Sequence, residues 1–117
     1  MRDYKKLMIW ERSHALTLDI YKITKSFPKD ELYGLTSQIR RAAVSIPTNM
    51  AEGSGRDSEV DFKRYLQISM GSACELEYLI FLSNCLEYIS EETYEKISTE
   101  IESIKKMISS FITKIRK

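Results

Sequence analysis

The stretch from Leu35 to Gly53 carries the densest pattern of apolar and polar positions in the chain. At about 100° per residue, Leu35, Ile39, Ala42, Ala43, Ile46, Met50 and Gly53 fall on one apolar stripe. Gln38, Arg41, Ser45, Thr48, Asn49, Glu52 and Arg56 line up beside it as a polar ladder, and Tyr33, Val44, Pro47 and Ala51 form a third side broken only by Arg40. A helix in a lone bundle needs one apolar stripe. Two stripes separated by a ladder predict two packing partners: the helix's own bundle and a neighbouring subunit that meets Tyr33, Val44, Pro47 and Ala51.

Three further helices flank this one. Ile9, Leu16, Ile20, Ile23 and Phe27 recur at helical spacing, widened by Trp10, Leu18 and Tyr21, and predict a first helix over 9–27. Pro28 stops it, because proline biases the preceding residue away from helix. The second helix is expected over 32–53, kinked at Pro47, where a proline inside a helix costs about 3 kcal/mol, and closed by Gly53, Ser54 and Gly55 through backbone that glycine tolerates. Ser58 with Asp61 reads as a cap opening a third helix over 58–86. Phe62, Leu66, Ala73, Leu76 and Ile80 make one of its stripes, and Tyr65, Ile68, Leu79, Leu82 and Leu86 a second. Glu75 lies in the second stripe and is expected to be buried with a partner. Ser90 caps a fourth helix over 91–116, with Ile89 and Tyr94 as a staple and a seam of Ile97, Ile101, Ile104, Ile108, Phe111 and Ile115. Four helices with short connections predict an all-α, antiparallel up-down-up-down four-helix bundle, one domain over 1–117.

Charge adds a polarity. The net charge is +1, but residues 1–56 hold ten Lys and Arg against six Asp and Glu, and residues 57–117 hold eight against eleven. Cys74 and Cys85 are eleven residues apart on one helix, too far for a disulfide, and read as reduced thiols. With no apolar signal core after Met1 and no run long enough to cross a bilayer, a cytoplasmic protein without a membrane partner is expected.

The chain offers no credible active site, so it is expected not to be an enzyme and to need no cofactor. Glu11 and His14 have the Glu-x-x-His spacing of carboxylate-bridged metal bundles, but His14 is the sole histidine and a second such pair does not exist; no metal is expected. The same lack of a base leaves Cys74 and the serines without activation. Arg40, Arg56, Lys63 and Arg64 are candidates for a phosphate-binding patch, against ordinary solvated charges. Gln38, Arg41, Ser45, Asn49, Glu52 and Glu75 are expected to form a structural network, with Arg41 paired to Glu52 or Glu75, since burying such charges unpaired costs several kcal/mol per ion.

The run Gln38-Ile-Arg-Arg-Ala-Ala-Val-Ser-Ile-Pro-Thr-Asn-Met-Ala-Glu-Gly53, followed by Phe62, Leu66 and Gly71-Ser-Ala-Cys-Glu-Leu-Glu77, resembles the bacterial family of 23S rRNA intervening-sequence proteins. That resemblance implies a four-helix bundle assembled as a homopentamer. A related protein, the accessory variability determinant of diversity-generating retroelements, is a basic pentamer that binds nucleic acid and a reverse transcriptase. The implied role for this chain is a non-enzymatic adaptor for RNA, DNA or a nucleic-acid enzyme. A pure protein-docking scaffold is the alternative, and a metal-carboxylate enzyme a more distant one. The near-neutral charge departs from a strongly basic relative.

Overall fold

The computed structural model describes residues 1–115. Among these, a short turn over Tyr4–Lys6 precedes α1 (Met8–Thr24), a second turn over Lys29–Glu31 precedes α2 (Leu35–Ser54), and α3 (Glu59–Cys85) and α4 (Glu91–Lys114) follow. No strand occurs among the described residues. The helices pack in chain order and α1 closes against α4, giving an antiparallel bundle of 44 × 24 × 20 Å. The core is the set of inner stripes: Ile20, Ile39, Ile46, Met50, Phe62, Leu66, Leu76, Ile80, Ile101, Ile104 and Ile108 are all fully buried. The expected end of the fourth helix at residue 116 lies outside the described residues.

Helix boundaries follow local chemistry. α1 ends at Thr24, three residues short of Phe27, because the approach to Pro28 tightens the last turn: Phe27 N–H donates to Thr24 O at 3.1 Å, and Phe27 still reaches the core. α2 begins at Leu35 rather than 32, after Gly34 in a non-helical conformation. In place of a capping side chain at Gly34, the Glu31 carboxylate reaches forward and accepts from Leu35 N–H at 3.1 Å. Its other oxygen accepts from the Tyr88 hydroxyl at 3.0 Å, fastening the α1–α2 turn to the α3–α4 turn. Ser58 accepts from Asp61 N–H and Ser90 from Thr93 N–H, the two caps read from sequence. α3 ends through Glu87 at φ 64°, with Tyr88 N–H on Ser83 O at 2.9 Å, a closure that usually employs glycine.

Pro47 lies inside a continuous α2 and is buried. Lacking an N–H, it leaves the carbonyl of Ala43 without its helical donor, and the Thr17 hydroxyl on α1, whose proton is shared between Ser13 O at 2.9 Å and Ala43 O at 3.1 Å, supplies one. From the other side Ser69 on α3 donates to Ile46 O at 2.8 Å. Neighbouring helices therefore satisfy the backbone that the proline disturbs.

Gly53 does not close the helix through left-handed backbone as expected. No glycine has positive φ, and α2 runs on to Ser54. The glycine is a contact point instead: a Cβ there would lie 2.7 Å from Tyr65 Cβ, so α2 and α3 approach more closely than alanine permits.

Candidate assembly and nucleic-acid interface

The polar ladder is a surface feature with a small bonded centre, a correction to the buried network expected for it. Ser45 is the hub: Asn49 Nδ2 donates to Ser45 Oγ at 3.0 Å and to Ser45 O at 2.8 Å, and Ser72 Oγ donates to Ser45 Oγ at 2.8 Å. Gln38, Arg41, Glu52 and Glu75 are exposed, and among the described residues neither Arg41, Glu52 nor Glu75 forms an ion pair. Gln38, Arg41, Ser45, Ser72 and Glu75 line an open notch between α2 and α3. Glu75 is solvated because its part of the second α3 stripe faces outward, where a charge needs no buried partner.

The four basic candidates separate into two places. Arg40 belongs to the α1–α2 seam: its Nε donates to Thr24 Oγ1 at 2.9 Å and its guanidinium covers the Tyr21 ring at 4.8 Å. It sits fourteen residues before the end of α2 at Ser54, roughly 21 Å along the helix at 1.5 Å per residue, and Arg56 lies in the turn beyond that end. Arg56 donates to the Tyr65 hydroxyl at 2.6 Å, Arg64 pairs with Asp61 at 3.2 Å, and Lys63 is half-buried. The end of the bundle that holds these three also holds the chain's first residues, since Arg2 N–H donates to Ser54 O at 2.8 Å. Arg2 binds Glu59 through both guanidinium nitrogens at 2.7 and 2.9 Å and lies 4.2 Å over the Phe62 ring; the bond to Glu59 raises its pKa against the effect of burial. Lys5 and Lys6 are exposed beside it. This N-terminal contribution was not read from the sequence, because only the fold brings residue 2 to residue 59.

Pro47 drops out of the expected interface, as its ring packs inside the protomer. The other three residues differ in access: Tyr33 is 93% exposed, Val44 37%, and Ala51 half-buried. Tyr33 and Val44 line a groove of about 630 Å³ along α1 and α2, together with Tyr21, Leu32, Arg40, Arg41 and Thr48, and no acidic residue takes part. Leu18, 51% exposed, extends the apolar surface on α1.

A second outward face lies on α3. Ile68, Tyr78, Phe81 and Leu86 are exposed large apolar side chains. Gly71, Cys74 and Cys85 lie among them, with Glu75 as the exposed charge between Ile68 and Leu86 on α3. The spacing of Cys74, Tyr78, Phe81 and Cys85 is helical and was available in the sequence; the second stripe read from sequence, Tyr65, Ile68, Leu79, Leu82 and Leu86, contained none of them. A Cβ at Gly71 would meet nothing within 4 Å, so this mid-helix glycine, about 1 kcal/mol less favourable than alanine, has no packing role in the protomer.

Glu11 and His14 are both exposed, and the His14 ring stacks on Trp10 at 4.9 Å with 6° between planes. Among the described residues no cluster of three or more His, Cys, Asp or Glu side chains has metal-site geometry, and no helix is long and apolar enough to cross a membrane.

The bundle, the motif on α2 and its contacts to α3 agree with a known family. The family model for the 23S rRNA-intervening sequence protein matches residues 5–110. The chain belongs to that family. A solved structure with the same fold is a protein of unknown function from the S23 ribosomal protein family of Bacteroides thetaiotaomicron VPI-5482, 29% identical, covering 90% of this chain and 95% of that one with a TM-score of 0.83. No curated protein matches. In this chain the α2 motif has a physical content: Ser45 accepts from Ser72 on α3 and from Asn49 one turn along α2, Pro47 takes help from Thr17, and Gly53 sets the α2–α3 distance.

Proposed function

We propose that the protein is a non-enzymatic, ring-shaped homo-oligomer, a pentamer by resemblance to its family, that serves as an adaptor for nucleic acid or a nucleoprotein. One observation carries the assembly: two different apolar faces, the α1–α2 groove with Arg40 and Arg41 and the α3 surface with Glu75, are both open on the protomer. Monomers rarely expose extensive apolar patches. Pairing unlike faces is a head-to-tail contact, which closes into a ring when the rotation allows.

Cyclic symmetry then turns every protomer the same way. The end built from the N-terminus, the α2–α3 turn and the end of α4 holds Arg2, Lys5, Lys6, Arg56, Lys63, Arg64 and Lys114 against Asp3, Glu52, Asp57, Glu59 and Asp61. The opposite end holds Asp30, Glu31, Glu87, Glu91, Glu92 and Glu95 against Lys22, Lys25, Lys29 and Lys96. A near-neutral chain thus yields a ring with one basic rim, and repeated modest contacts to phosphates gain avidity along one strand.

Light scattering tests the assembly against the 13.7 kDa protomer. Val44→Glu and Phe81→Glu, on opposite faces, each yield monomers with native helicity. Mixed together they form dimers, since each retains the face the other lacks; a mixture that stays monomeric rejects the head-to-tail pairing. Fluorescence anisotropy with RNA and DNA of unrelated sequence tests the rim: affinity falls between low and physiological salt, and Lys63→Glu with Arg64→Glu weakens it in an intact ring. Absence of binding at low salt overturns the nucleic-acid role and favours a protein-docking scaffold.

A further inference from the structure

A third surface is used by neither face. Arg12 clamps α1 to α4 through Glu100 at 2.9 Å on both carboxylate oxygens and through Ser103 Oγ at 2.9 Å, with its guanidinium 3.6 Å from Met107 Sδ. Past this clamp α1 has only its first turn, Met8 to Glu11, left, with Met8 and Ile9 toward α4, while α4 runs on to Lys114. The residues before Met8 cross to the α2–α3 turn and leave the flank of α4 open. The result is a groove of about 410 Å³ with Met8, Ile9, Met107 and Phe111 as its apolar surface and Lys106 and Lys114 on its rim. Met8 is 65% exposed, and methionine adapts its shape to varied partners.

We infer that this groove docks an acidic amphipathic helix of a partner protein. Its lining contains no acidic residue, and among the described residues neither lysine forms an ion pair; Glu102, one turn before Lys106, lines an adjoining depression with Glu95, where Ser103 and Lys106 form the shared border. The spacing of the lysines selects the occupant. Eight residues apart on α4, they stand about 12 Å from each other with apolar surface between them. A fatty acid presents one anionic head and engages one lysine. A nucleic-acid strand brings several phosphates but leaves the methionines and Phe111 without an apolar counterpart. A helix with carboxylates about two turns apart and apolar side chains between them satisfies both lysines and the floor, as helix-in-groove recognition requires. None of the groove residues belongs to the α1–α2 groove or the α3 face, so an assembled ring leaves the site available.

The test uses the full chain and a labelled helical peptide with two glutamates about two turns apart flanking leucines, followed by anisotropy. Wild type binds it. Lys106→Glu with Lys114→Glu weakens binding by about tenfold or more, as removal of complementary rim charge does; Met107→Ala weakens it too. A peptide with lysines in place of the glutamates prefers the doubly reversed variant over wild type. Circular dichroism confirms that each variant is folded. The proposal is overturned if the peptide does not bind, if both peptides bind wild type equally, if the double reversal has no effect, or if laurate displaces the peptide from wild type and binds equally well to Met107→Ala.

Discussion

α3 and α4 lie side by side and contribute to one core, yet they meet solvent in different ways. α4 buries Ile97, Ile101, Ile104 and Ile108 and turns Glu95, Lys96, Glu102 and Lys106 outward, so the protomer accounts for its pattern apart from Met107 and Phe111, which line the lysine-rimmed groove. α3 buries Phe62, Leu66, Ala73, Leu76 and Ile80 and still turns Ile68, Tyr78 and Phe81 outward, around a mid-helix glycine with empty space above it. α2 shares this excess, with a proline in its middle and a glycine at its contact with α3. The inner seams of all four helices specify the bundle. The features left over on α2 and α3 are the ones that a solitary bundle does not need.

The largest expected effect tests whether the two helices are equal on the inside. Ile80 and Ile104 are both fully buried, and truncating either to alanine removes about 2–5 kcal/mol of stability, read by denaturant unfolding. Losses of matching size place the difference between α3 and α4 wholly on their outer faces. A loss confined to one helix breaks that division.

The proline of α2 comes next. Thr17→Val leaves the buried Ala43 carbonyl with neither the hydroxyl nor a helical N–H, at a cost of about 1–3 kcal/mol. Adding Pro47→Ala restores the N–H and recovers most of that loss, a non-additivity that a double-mutant cycle measures. If Thr17→Val costs the same in both backgrounds, the hydroxyl does not compensate for the proline.

The glycines sharpen the comparison further. Gly53→Ala forces a Cβ to within 2.7 Å of Tyr65 Cβ and 3.1 Å of Phe62 Cδ1, and overpacking of this kind costs about 1–3 kcal/mol. Gly71→Ala meets nothing in the protomer and, in a monomeric background such as Phe81→Glu, raises stability by about 0.5–1 kcal/mol. In the wild-type background it lowers the assembled mass if a neighbouring backbone approaches there. An unchanged mass moves the subunit contact away from this part of α3.

Much of the bundle follows from periodicity, because burial of one face per helix dominates packing and the stripes at Leu35–Gly53 and Ile97–Ile108 are unbroken. Angle around a helix does not give depth, however. Gln38, Arg41 and Glu75 share a face with the bonded Ser45 and Asn49 but stand in solvent, and Pro47 shares a face with Val44 but is covered by its own bundle. Distance along the helix separated Arg40 from Arg56, and long-range topology added Arg2 to the basic end. The lysine-rimmed groove is a consequence of α4 outrunning α1, which no local pattern records.

The smallest effect lies in the connection between the two helices. The Tyr88 hydroxyl donates to Glu31 at 3.0 Å, and that bond, followed by burial and the charges of Glu31 and Asp30, raises the pKa of Tyr88. A group whose folded pKa exceeds its unfolded one contributes its full stabilisation below the unfolded value, about 10 for tyrosine. Above that pH the unfolded chain loses the phenolic proton first, so the contribution declines and is gone once the folded tyrosine also ionises. Lys105, raised by its hydrogen bond to Glu77 between α3 and α4, slopes in the same direction and is removed separately by Lys105→Met. Thermal midpoints followed from neutral pH to above about pH 10 therefore fall at the alkaline end in wild type, and the fall is shallower in Tyr88→Phe, which has a slightly lower midpoint at neutral pH. Equal alkaline slopes in wild type and Tyr88→Phe would show that the Glu31 contact does not persist in solution, and that the α1–α2 turn is held by the Glu31 bond to Leu35 N–H alone.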